Sequence, residues 1–337
     1  MNKAMKRVLL FMSLGLLFAG TANAQDPEFT QFYANPLYTN PAFAGTTAGP
    51  RFCINFRDQW PSISGTFVTY AASYDQHFDG IGGGIGAQVW YDQAGDGRLS
   101  TSSFSGVYSY DLRIKDATID YFIIKAGLQA GAFQRSLDFD KLHFGDEIDP
   151  RKGWLGRVTQ ERIPKGVETT DFIPDFSAGL LAFTNKYYGG FSVNHIVEPT
   201  QSFFGNPNST LPRKYTVNAG MTITVDNWKR DPSTFISPNI LFQQQANFRQ
   251  VNFGAYFIKN YFVAGLWYRQ TRPNSDALMV LIGVKKDAVR IGYSYDLTVS
   301  DARAAATGSH EVSLIIELPP MSPKQVRKFK KIPCPGF

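Results

Sequence analysis

Residues 214–225, KYTVNAGMTITV, alternate between two kinds of side chain with a period of two. The apolar positions are Tyr215, Val217, Ala219, Met221, Ile223 and Val225. The positions between them are polar or small, namely Thr216, Asn218, Gly220, Thr222 and Thr224. Because successive side chains of a strand point to opposite faces of its sheet, this stretch predicts a strand with one apolar and one polar face.

Segments of this kind fill most of the chain. Residues 288–299 and 309–318 show the alternation as clearly, and fourteen segments show it in all. They cover residues 50–58, 66–78, 83–92, 100–113, 119–135, 174–184, 186–194, 213–225, 233–244, 248–258, 261–270, 276–285, 288–299 and 309–318. Bacterial single-chain barrels of the outer membrane have an even number of antiparallel strands, so the count predicts an all-β transmembrane barrel of about fourteen strands.

The distribution of charge favours a barrel over a soluble β-sandwich. The apolar positions in the middle of the segments carry no charged residue, and a Lys or Arg facing lipid at the bilayer midplane would cost about 2–4 kcal/mol. The opposite positions do carry charges: Arg57, Asp75, Lys125, Arg290, Asp296 and Glu317. The segments are also rich in Ala, Gly and aromatic residues, and they lack the larger aliphatic layer of a sandwich core.

The connections between segments sort into two sets. One set is short and recurs near residues 77–80, 115–116, 185–186, 259–260 and 286–287, with a slightly longer member at residues 226–232. The other set tends to be longer and comprises the connections at residues 92–97, 136–173, 195–212, 272–275 and 300–308. Outer-membrane barrels have short periplasmic turns and longer extracellular loops, which matches this sorting. One segment contains Pro238, which lacks an amide donor for the ladder, and this predicts a bulge or a split strand.

The start of the chain has the features of a secretory signal peptide. Lys3, Lys6 and Arg7 precede an apolar run at residues 8–19, and Ala22-Asn23-Ala24 follows as a small-residue cleavage site. Residues 1–24 are therefore predicted to be the leader. No cysteine comes directly after the site, so a lipoprotein is disfavoured, and the apolar run is too short for a comfortable membrane anchor.

The basic character of the chain belongs to its ends. Three of the 34 basic residues lie in the leader and five lie in residues 319–337, which leaves 26 against 28 acidic residues in between. The basic charge is therefore that of a tail, and we expect no nucleic-acid partner. The sequence divides into the leader, an N-terminal segment at residues 25–47, a barrel at residues 48–318 and a basic periplasmic tail at residues 319–337.

Residues 31–45, QFYANPLYTNPAFAG, form an unusual stretch before the first strand. It contains the pairs Asn35-Pro36 and Asn40-Pro41, which predict extended turns rather than a helix, together with several aromatic residues. A lumen of about fourteen strands is wide enough to hold a plug. We expect this stretch to fold into the periplasmic mouth or the lumen of the barrel and to pack on inward aromatic residues; the alternative is a loose periplasmic linker.

Motifs for catalysis, metal binding or cofactors are weak. GIGGGIGA at residues 80–87 begins a strand rather than joining a strand to a helix, so its glycines predict close approach of strands or a plug, not a dinucleotide site. His143 and His195 lie in long loops without catalytic spacing, and DQAGDG at residues 92–97 suits a turn better than calcium. We predict a protein without enzymatic activity, cofactor or metal. Cys53 faces inward near the start of the first strand, and a disulfide to Cys334 in the tail is geometrically allowed, the alternative being unpaired thiols.

Three stretches of the chain are distinctive, namely residues 25–46 (QDPEFTQFYANPLYTNPAFAGT), residues 139–153 (FDKLHFGDEIDPRKG) and residues 332–337 (IPCPGF). In these stretches the chain resembles the PorP/SprF family of the type IX secretion system. The resemblance implies a non-enzymatic barrel in the outer membrane of gliding and related bacteria. It also implies partners: the C-terminal domain of a secreted cargo protein, which the barrel helps to export or anchors, and periplasmic ring or peptidoglycan-associated components.

The longest loop is the expected surface for an external partner, because it mixes charge with aromatic residues that commonly anchor interfaces. Those residues are Phe139, Phe144, Trp154 and Phe172. The basic tail suits an acidic periplasmic partner. Two other functions stay open at this point. One is an outer-membrane porin or solute transporter, which an open lumen would favour. The other is an outer-membrane hydrolase, which only the loop histidines would support.

Overall fold

The computed structural model describes residues 26–320, except residues 64, 66, 96–97, 115–121, 143, 150, 157–158, 161–167, 206–208, 227, 229–232, 273–274 and 300–307. The leader predicted at residues 1–24 lies outside the described residues. So does almost all of the tail predicted at residues 319–337, including Cys334.

Long antiparallel strands dominate the described residues, and we number them β1 to β14 in chain order. They are β1 Arg51–Gln59, β2 Phe67–Phe78, β3 Gly83–Ala94, β4 Leu99–Ile114, β5 Phe122–Ser136, β6 Ile173–Phe183, β7 Tyr187–Asn194, β8 Lys214–Met221, β9 Thr234–Gln245, β10 Phe248–Lys259, β11 Phe262–Thr271, β12 Ser275–Lys286, β13 Val289–Thr298 and β14 Ser309–Glu317. Their positions follow the period-two segments of the sequence closely.

The strands close into a ring. Each strand pairs with the next in sequence, β8 pairs with β9, and β14 returns to pair with β1 over the full length of β1. The predicted all-β antiparallel barrel with fourteen strands is therefore confirmed. We call the end where β1 starts and β14 ends the base, marked by Arg51 and Glu317, and the opposite end, marked by Gln59 and Ser309, the mouth.

Shorter elements complete the described structure. They are an α-helix, α1 (Pro36–Thr39), the 3₁₀-helices Pro41–Phe43, Asp79–Ile81, Phe139–Lys141 and Gly145–Glu147, a two-residue extension of β8 (Ile223–Thr224), and a small hairpin of Ile148–Asp149 with Gly153–Trp154. In the described part of the chain, no helix combines the length and the apolar character needed to cross a membrane.

The barrel is apolar outside and polar inside. In β1 the side chains of Arg51, Cys53 and Arg57 are buried, whereas Phe52 and Ile54 between them are exposed on the outer wall. The same alternation recurs around the ring, so the inward positions hold most of the buried polar and charged residues. This arrangement suits lipid outside and a polar interior, and it agrees with the charge distribution expected from the sequence.

Pro238 does not interrupt its own strand. It lies in the ladder of β9 opposite Ala255 of β10, without a shift in register. The break falls instead in the neighbouring strand, where β8 ends at Met221 and pairing resumes at Ile223. The prediction of a bulge or split at Pro238 was therefore wrong, because a missing amide donor removes a bond only on the side it faces.

Candidate functional site

Within the N-terminal segment predicted at residues 25–47, residues 26–46 lie against inward-facing side chains along the length of the barrel, and from here on the name N-terminal segment refers to residues 26–46. The backbone amide of Asp26 donates to Oε1 of Gln245, at the mouth end of β9, over 3.1 Å. The amide of Gly45 donates to Oδ2 of Asp75, near the base, over 2.7 Å. Most residues between these two points are buried, so the segment lies against the polar inner wall between the mouth and the base.

At the mouth, Asp26 belongs to a buried set of charges. Its carboxylate lies 2.9 Å from Nε2 of His195 and 3.5 Å from Nζ of Lys214. On its other side, Nδ1 of His195 lies 3.0 Å from Oδ2 of Asp175. Burial alone would lower the pKa of His195, but the carboxylates of Asp26 and Asp175 outweigh it and raise this pKa to about 10. His195 is therefore a cation at neutral pH and holds the start of the segment.

We expect the hold on Asp26 to weaken at high pH. The pKa of His195 is about 10 when folded against a usual 6.5, so its stabilising contribution is complete below about pH 6.5 and is lost as the pH rises to 10. The measurement is the rate at which proteinase K cleaves the start of the segment between pH 6 and pH 10, normalised to an unfolded substrate. His195→Gln should make this rate independent of pH, whereas the control His310→Gln should keep the wild-type profile; a flat wild-type profile would refute the assignment.

Deeper in the barrel, the segment meets a cluster of buried charges. The backbone amides of Thr30 and Gln31 donate to the two carboxylate oxygens of Glu311, over 2.6 and 3.0 Å. The hydroxyl of Thr30 donates to Asp296 over 2.6 Å. Arg57 lies between the two acids, with Nη2 3.0 Å from Asp296 and Nη1 3.3 Å from Glu311. Asp296 and Glu311 therefore each bind both Arg57 of the wall and a group of the N-terminal segment.

The side chain of Gln31 adds further contacts between the segment and the wall at this cluster. Its side-chain amide donates to the backbone carbonyl of Glu311 over 3.0 Å and to the hydroxyl of Ser294 over 3.2 Å. The hydroxyl of Ser313 donates to its Oε1 over 2.5 Å. Only 1% of Gln31 is exposed, so every polar group of this side chain is paired with β13 or β14 as burial requires.

The aromatic residues of the segment pack on aromatic residues of the wall. The Phe32 ring stands edge-on to Trp267, with centroids 4.9 Å apart, and Tyr33 contacts Tyr188 and Tyr256 at 6.2 and 6.3 Å. These edge-to-face arrangements are those that aromatic rings prefer, each adding about 0.5–1.5 kcal/mol beyond the buried area. The wall therefore holds the segment through apolar as well as polar contacts.

The two Asn-Pro pairs begin short helices. Pro36 starts α1 and Pro41 starts the 3₁₀-helix that follows it, so the expectation of extended turns was wrong. The physical reason is that proline fits the first position of a helix, where its missing amide leaves no bond unmade. Asn35 and Asn40 precede these helices, and the side chain of Asn40 accepts from the amide of Ala42 over 2.8 Å.

Asn40 also ties the middle of the segment to the wall. Its side-chain amide donates to the backbone carbonyls of Leu180 in β6 and Phe191 in β7, over 3.1 and 3.2 Å. Gly179 makes room for this contact, because a Cβ at that position would lie 2.0 Å from Oδ1 of Asn40. The missing side chain of Gly179 is therefore what allows Asn40 to lie this close to β6.

The base holds the end of the segment through one carboxylate. Asp75 accepts from the amide of Gly45 and pairs with Nε of Arg51 over 2.7 Å. Arg51 in turn donates to the carbonyl of Phe43 over 3.1 Å, and the hydroxyl of Ser109 donates to the carbonyl of Ala44 over 2.7 Å. The segment is therefore fixed at the mouth, in the middle and at the base.

Glycines of the wall allow the close approach that the sequence predicted for the run at residues 80–87. A Cβ on Gly84 would lie 2.5 Å from the carbonyl carbon of Ala44, and one on Gly86 would lie 2.9 Å from a methyl group of Leu37. Gly127 has the same role in β5, where a Cβ would lie 2.3 Å from the amide nitrogen of Ala42. The prediction that these glycines admit a plug-like segment is confirmed for Gly84 and Gly86.

We expect Gly127→Ala to displace the segment while the wall stays closed. The added methyl group overlaps the backbone of Ala42, and overpacking of this kind costs about 1–3 kcal/mol. Proteinase K should then cleave the segment roughly 5- to 150-fold faster than in the unchanged protein. Gly106→Ala is the matched control, because its methyl group meets no atom within 4 Å. Equal cleavage rates in the two variants would contradict the close contact.

Other residues singled out in the sequence have these outcomes. Cys53 is buried and clusters with Ala34 of the segment and with Ile315 of β14. Its predicted disulfide partner, Cys334, lies outside the described residues, so the disulfide stays a prediction.

Of the two loop histidines, His143 also lies outside the described residues, while His195 is held between two carboxylates as described above. Asp92, in the turn considered for calcium, accepts from the hydroxyl of Thr69 over 2.6 Å.

The two longest connections meet at the mouth. Phe139 contacts Phe204 with ring centroids 6.3 Å apart. Arg135 joins them, because it donates to the carbonyl of Gln201 over 3.4 Å and stacks over Phe203 at 5.7 Å. The described residues of the loops at residues 137–171 and 195–213 therefore meet at the mouth, and together we call them the mouth surface.

The four aromatic residues predicted to bind a partner do not all share this surface. Trp154 is 61% exposed on the small hairpin and Phe144 is half-buried within the same loop. Phe172 instead contacts Phe104 at 6.0 Å, and Phe104 is on the outer wall, which separates Phe172 from Phe139. Sequence reasoning missed Phe203 and Phe204, because the second loop carries no sign that it contacts the first.

Sequence reasoning also missed the residues that anchor the segment. It singled out Asn35, Pro36, Asn40 and Pro41, whereas Asp26, Thr30 and Gln31 make the contacts with buried charges. The sequence did contain a signal for these residues. It places inward charges on β1, β13 and β14, which are neighbours in the barrel, and buried charges need partners. Period-two alternation identifies such residues as inward but does not pair them.

Comparisons with known proteins give one family match. A family model described as "Type IX secretion system membrane protein PorP/SprF" matches residues 21–316. A search of curated proteins finds no relative. Among solved structures, the chain is similar to the toluene transporter TodX of P. putida at 10% identity and a TM-score of 0.43, covering 83% of this chain and 93% of TodX. It is also similar to the KdgM porin at 9% identity and a TM-score of 0.38, covering 79% of this chain and 99% of KdgM.

Proposed function

Because the chain belongs to the PorP/SprF family of type IX secretion system membrane proteins, we propose that it is a non-enzymatic outer-membrane barrel that helps to export, or anchors, a secreted surface protein through that protein's C-terminal domain. One observation carries the proposal beyond family membership. The N-terminal segment contacts inward-facing side chains from the mouth to the base, and these contacts support a filled lumen. A barrel filled in this way is suited to binding a macromolecule at one end rather than to passing solutes.

The orientation follows from the connections. Outer-membrane barrels keep short turns in the periplasm and longer loops outside. The long connections at residues 137–172 and 195–213 are at the mouth, whereas the connections at residues 184–186, 260–261 and 287–288 at the base are short. On this argument the mouth faces the outside of the cell and the base faces the periplasm.

The mouth surface is the contact site for the cargo. Phe204 is 64% exposed and Trp154 is 61% exposed, although large aromatic residues are usually buried in a polypeptide that faces water. Exposed aromatic anchors surrounded by charge are typical of interfaces. At the other end, the five basic residues of the tail suit an acidic periplasmic component of the secretion system.

The test is co-purification of the cargo from the native outer membrane. A tagged copy extracted in mild detergent should bring with it one large secreted protein in near-equal amount, identified by mass spectrometry. Trp154→Ala/Phe204→Ala should reduce this recovery at least tenfold, since each buried aromatic anchor contributes about 2 kcal/mol or more. The matched control, Trp228→Ala/Tyr261→Ala, removes two exposed aromatic residues near the base and should leave recovery unchanged.

Recovery of a clean barrel without a stoichiometric partner would refute capture and favour a porin or transporter. Equal loss in both double variants would refute the assignment of the mouth surface. The heat-modifiable gel mobility of folded barrels verifies that every variant is folded before its partners are compared.

A further inference from the structure

A cavity of about 220 Å³ lies at the mouth end, between the N-terminal segment and the wall. Asp26, Pro27 and Tyr38 of the segment line one side of it, and inward side chains of β3 to β8 line the other. On β4 the lining residues include Thr101 and Ser103, whose small side chains leave space between the larger residues of β3 and β5. The volume is below the roughly 300–1,000 Å³ of sites for drug-sized ligands, so it suits a molecule as small as one amino acid.

The level of this cavity nearest the mouth carries two opposite charges. Asp92 of β3 and Arg135 of β5 are both in register with Thr101 of β4, so their Cα atoms are two strand spacings, about 10 Å, apart. Asp92 accepts from the hydroxyl of Thr69, and in the described part of the chain no Lys, Arg or His pairs with it. Nor does any described carboxylate pair with Arg135. One such charge of each sign on either side of a gap fits a zwitterion.

Below these charges the cavity is flanked by two aromatic side chains. Trp90 of β3 and Phe133 of β5 are both in register with Ser103 of β4, one level nearer the base. Tyr38 of the segment stands edge-on to Trp90, with ring centroids 6.3 Å apart. Aromatic residues on either side of a small serine leave an apolar passage that suits an aliphatic chain.

The deepest level of the cavity holds hydrogen-bond acceptors. Oε1 of Gln88, Oε1 of Gln129 and Oδ1 of Asp175 are buried, and none of these atoms has a hydrogen-bond partner among the described residues. Gln88 is only 2% exposed, and buried polar atoms are nearly always paired. All three atoms accept, so a ligand group that reaches them must donate. Ammonium and guanidinium groups donate several hydrogen bonds and accept none.

We propose that this cavity, which we call the mouth pocket, binds a free basic α-amino acid, lysine or arginine. The α-ammonium group pairs with Asp92, and the α-carboxylate pairs with the guanidinium fork of Arg135. The aliphatic stem passes between Trp90 and Phe133, and the side-chain cation donates to the three oxygens at the deepest level. Each group of the ligand therefore meets a group of the pocket that has no partner of its own. The inference does not rest on the cargo role of the barrel.

Isothermal titration calorimetry of the purified full chain in detergent tests the ligand class, with L-lysine and L-arginine as the probes. At least one of them should bind with a dissociation constant of about 1 mM or tighter. L-norleucine has the head group and stem of lysine but no side-chain cation. It should bind roughly tenfold more weakly or worse, because the three oxygens then stay without donors.

Three results would overturn the proposal. They are no binding of either basic amino acid, equal binding of L-norleucine and L-lysine, and tighter binding of D-glucose, which donates hydrogen bonds but carries no charge.

Arg135→Gln tests where the head group binds. L-lysinamide lacks the carboxylate assigned to Arg135, so the unchanged protein should bind L-lysine roughly tenfold or more tightly than L-lysinamide. In Arg135→Gln this preference should disappear. Arg135 also contacts the second mouth loop, but a purely structural role would weaken both probes by the same factor and keep the preference.

The matched control is Arg151→Gln, at an exposed arginine of the mouth surface, which should keep the preference for L-lysine. Heat-modifiable gel mobility verifies that both variants are folded. A preference that survives in Arg135→Gln would show that Arg135 does not bind the carboxylate, and the proposal would fall.

Discussion

Deletion of residues 26–46 is expected to turn a closed barrel into an open, ion-conducting one. The segment contacts the inner wall from the mouth to the base, while the ladder from β1 to β14 closes without it. An eight-stranded barrel is just filled by its own side chains, so a barrel of fourteen strands is left with a water-filled lumen once the segment is gone. In planar bilayers the unchanged protein should show no stable conductance, and the deletion variant, with Gln25 joined to Thr47, should show long-lived channel openings.

Two controls keep this result interpretable. Folding of the deletion variant is verified by its heat-modifiable gel mobility, and Gly106→Ala, which adds a methyl group to the outer wall, should stay closed. Gly127→Ala should lie between the two because it displaces the segment without removing it. Conductance of the unchanged protein equal to that of the deletion variant would mean that the segment does not block the lumen. That outcome would favour the porin or transporter function.

Arg57→Gln is expected to cost about 3–5 kcal/mol of unfolding free energy, the usual penalty for breaking a buried ion pair. Arg57 is 2% exposed and lies between Asp296 and Glu311, which are also buried. Among the described residues, removing its charge leaves Glu311 with the amides of Thr30 and Gln31 and leaves Asp296 with Arg269 and the Thr30 hydroxyl. The measurement is urea unfolding of the barrel in lipid vesicles, followed by gel mobility.

The matched comparison for this prediction is Arg151→Gln, an exposed arginine of the mouth loop, which should change stability by less than about 0.5 kcal/mol. Arg57→Gln/Glu311→Gln should be more stable than the sum of the two single changes by about 0.5–3 kcal/mol, since the double variant buries no unpaired charge at this point. Strict additivity, or a loss in Arg57→Gln as small as in Arg151→Gln, would argue that the cluster does not anchor the segment.

The position of the anchoring cluster was only partly readable in the sequence. Arg57 and Asp296 have inward parity in their segments, so their burial could be foreseen. Their contact could not, because β1 and β13 are about 240 residues apart and are brought together only when β14 pairs with both. Thr30, which contacts both residues, belongs to no strand, so the alternation could not predict its position.

The sequence by itself determined the wall of the barrel. Alternation with period two specified the strands, and the charge-free parity specified the face towards lipid, because both depend on local geometry that repeats every two residues. The even number of strands agreed with closure into an outer-membrane barrel. It also determined that the glycines at residues 80–87 would admit close contact. Only the tertiary structure decided how the interior is filled. The direction of the N-terminal segment, the helical turns at Pro36 and Pro41 and the pairing of Asp26 with His195 depend on which inward side chains meet across the lumen. Those meetings are set by the closed ring and not by any neighbour in sequence.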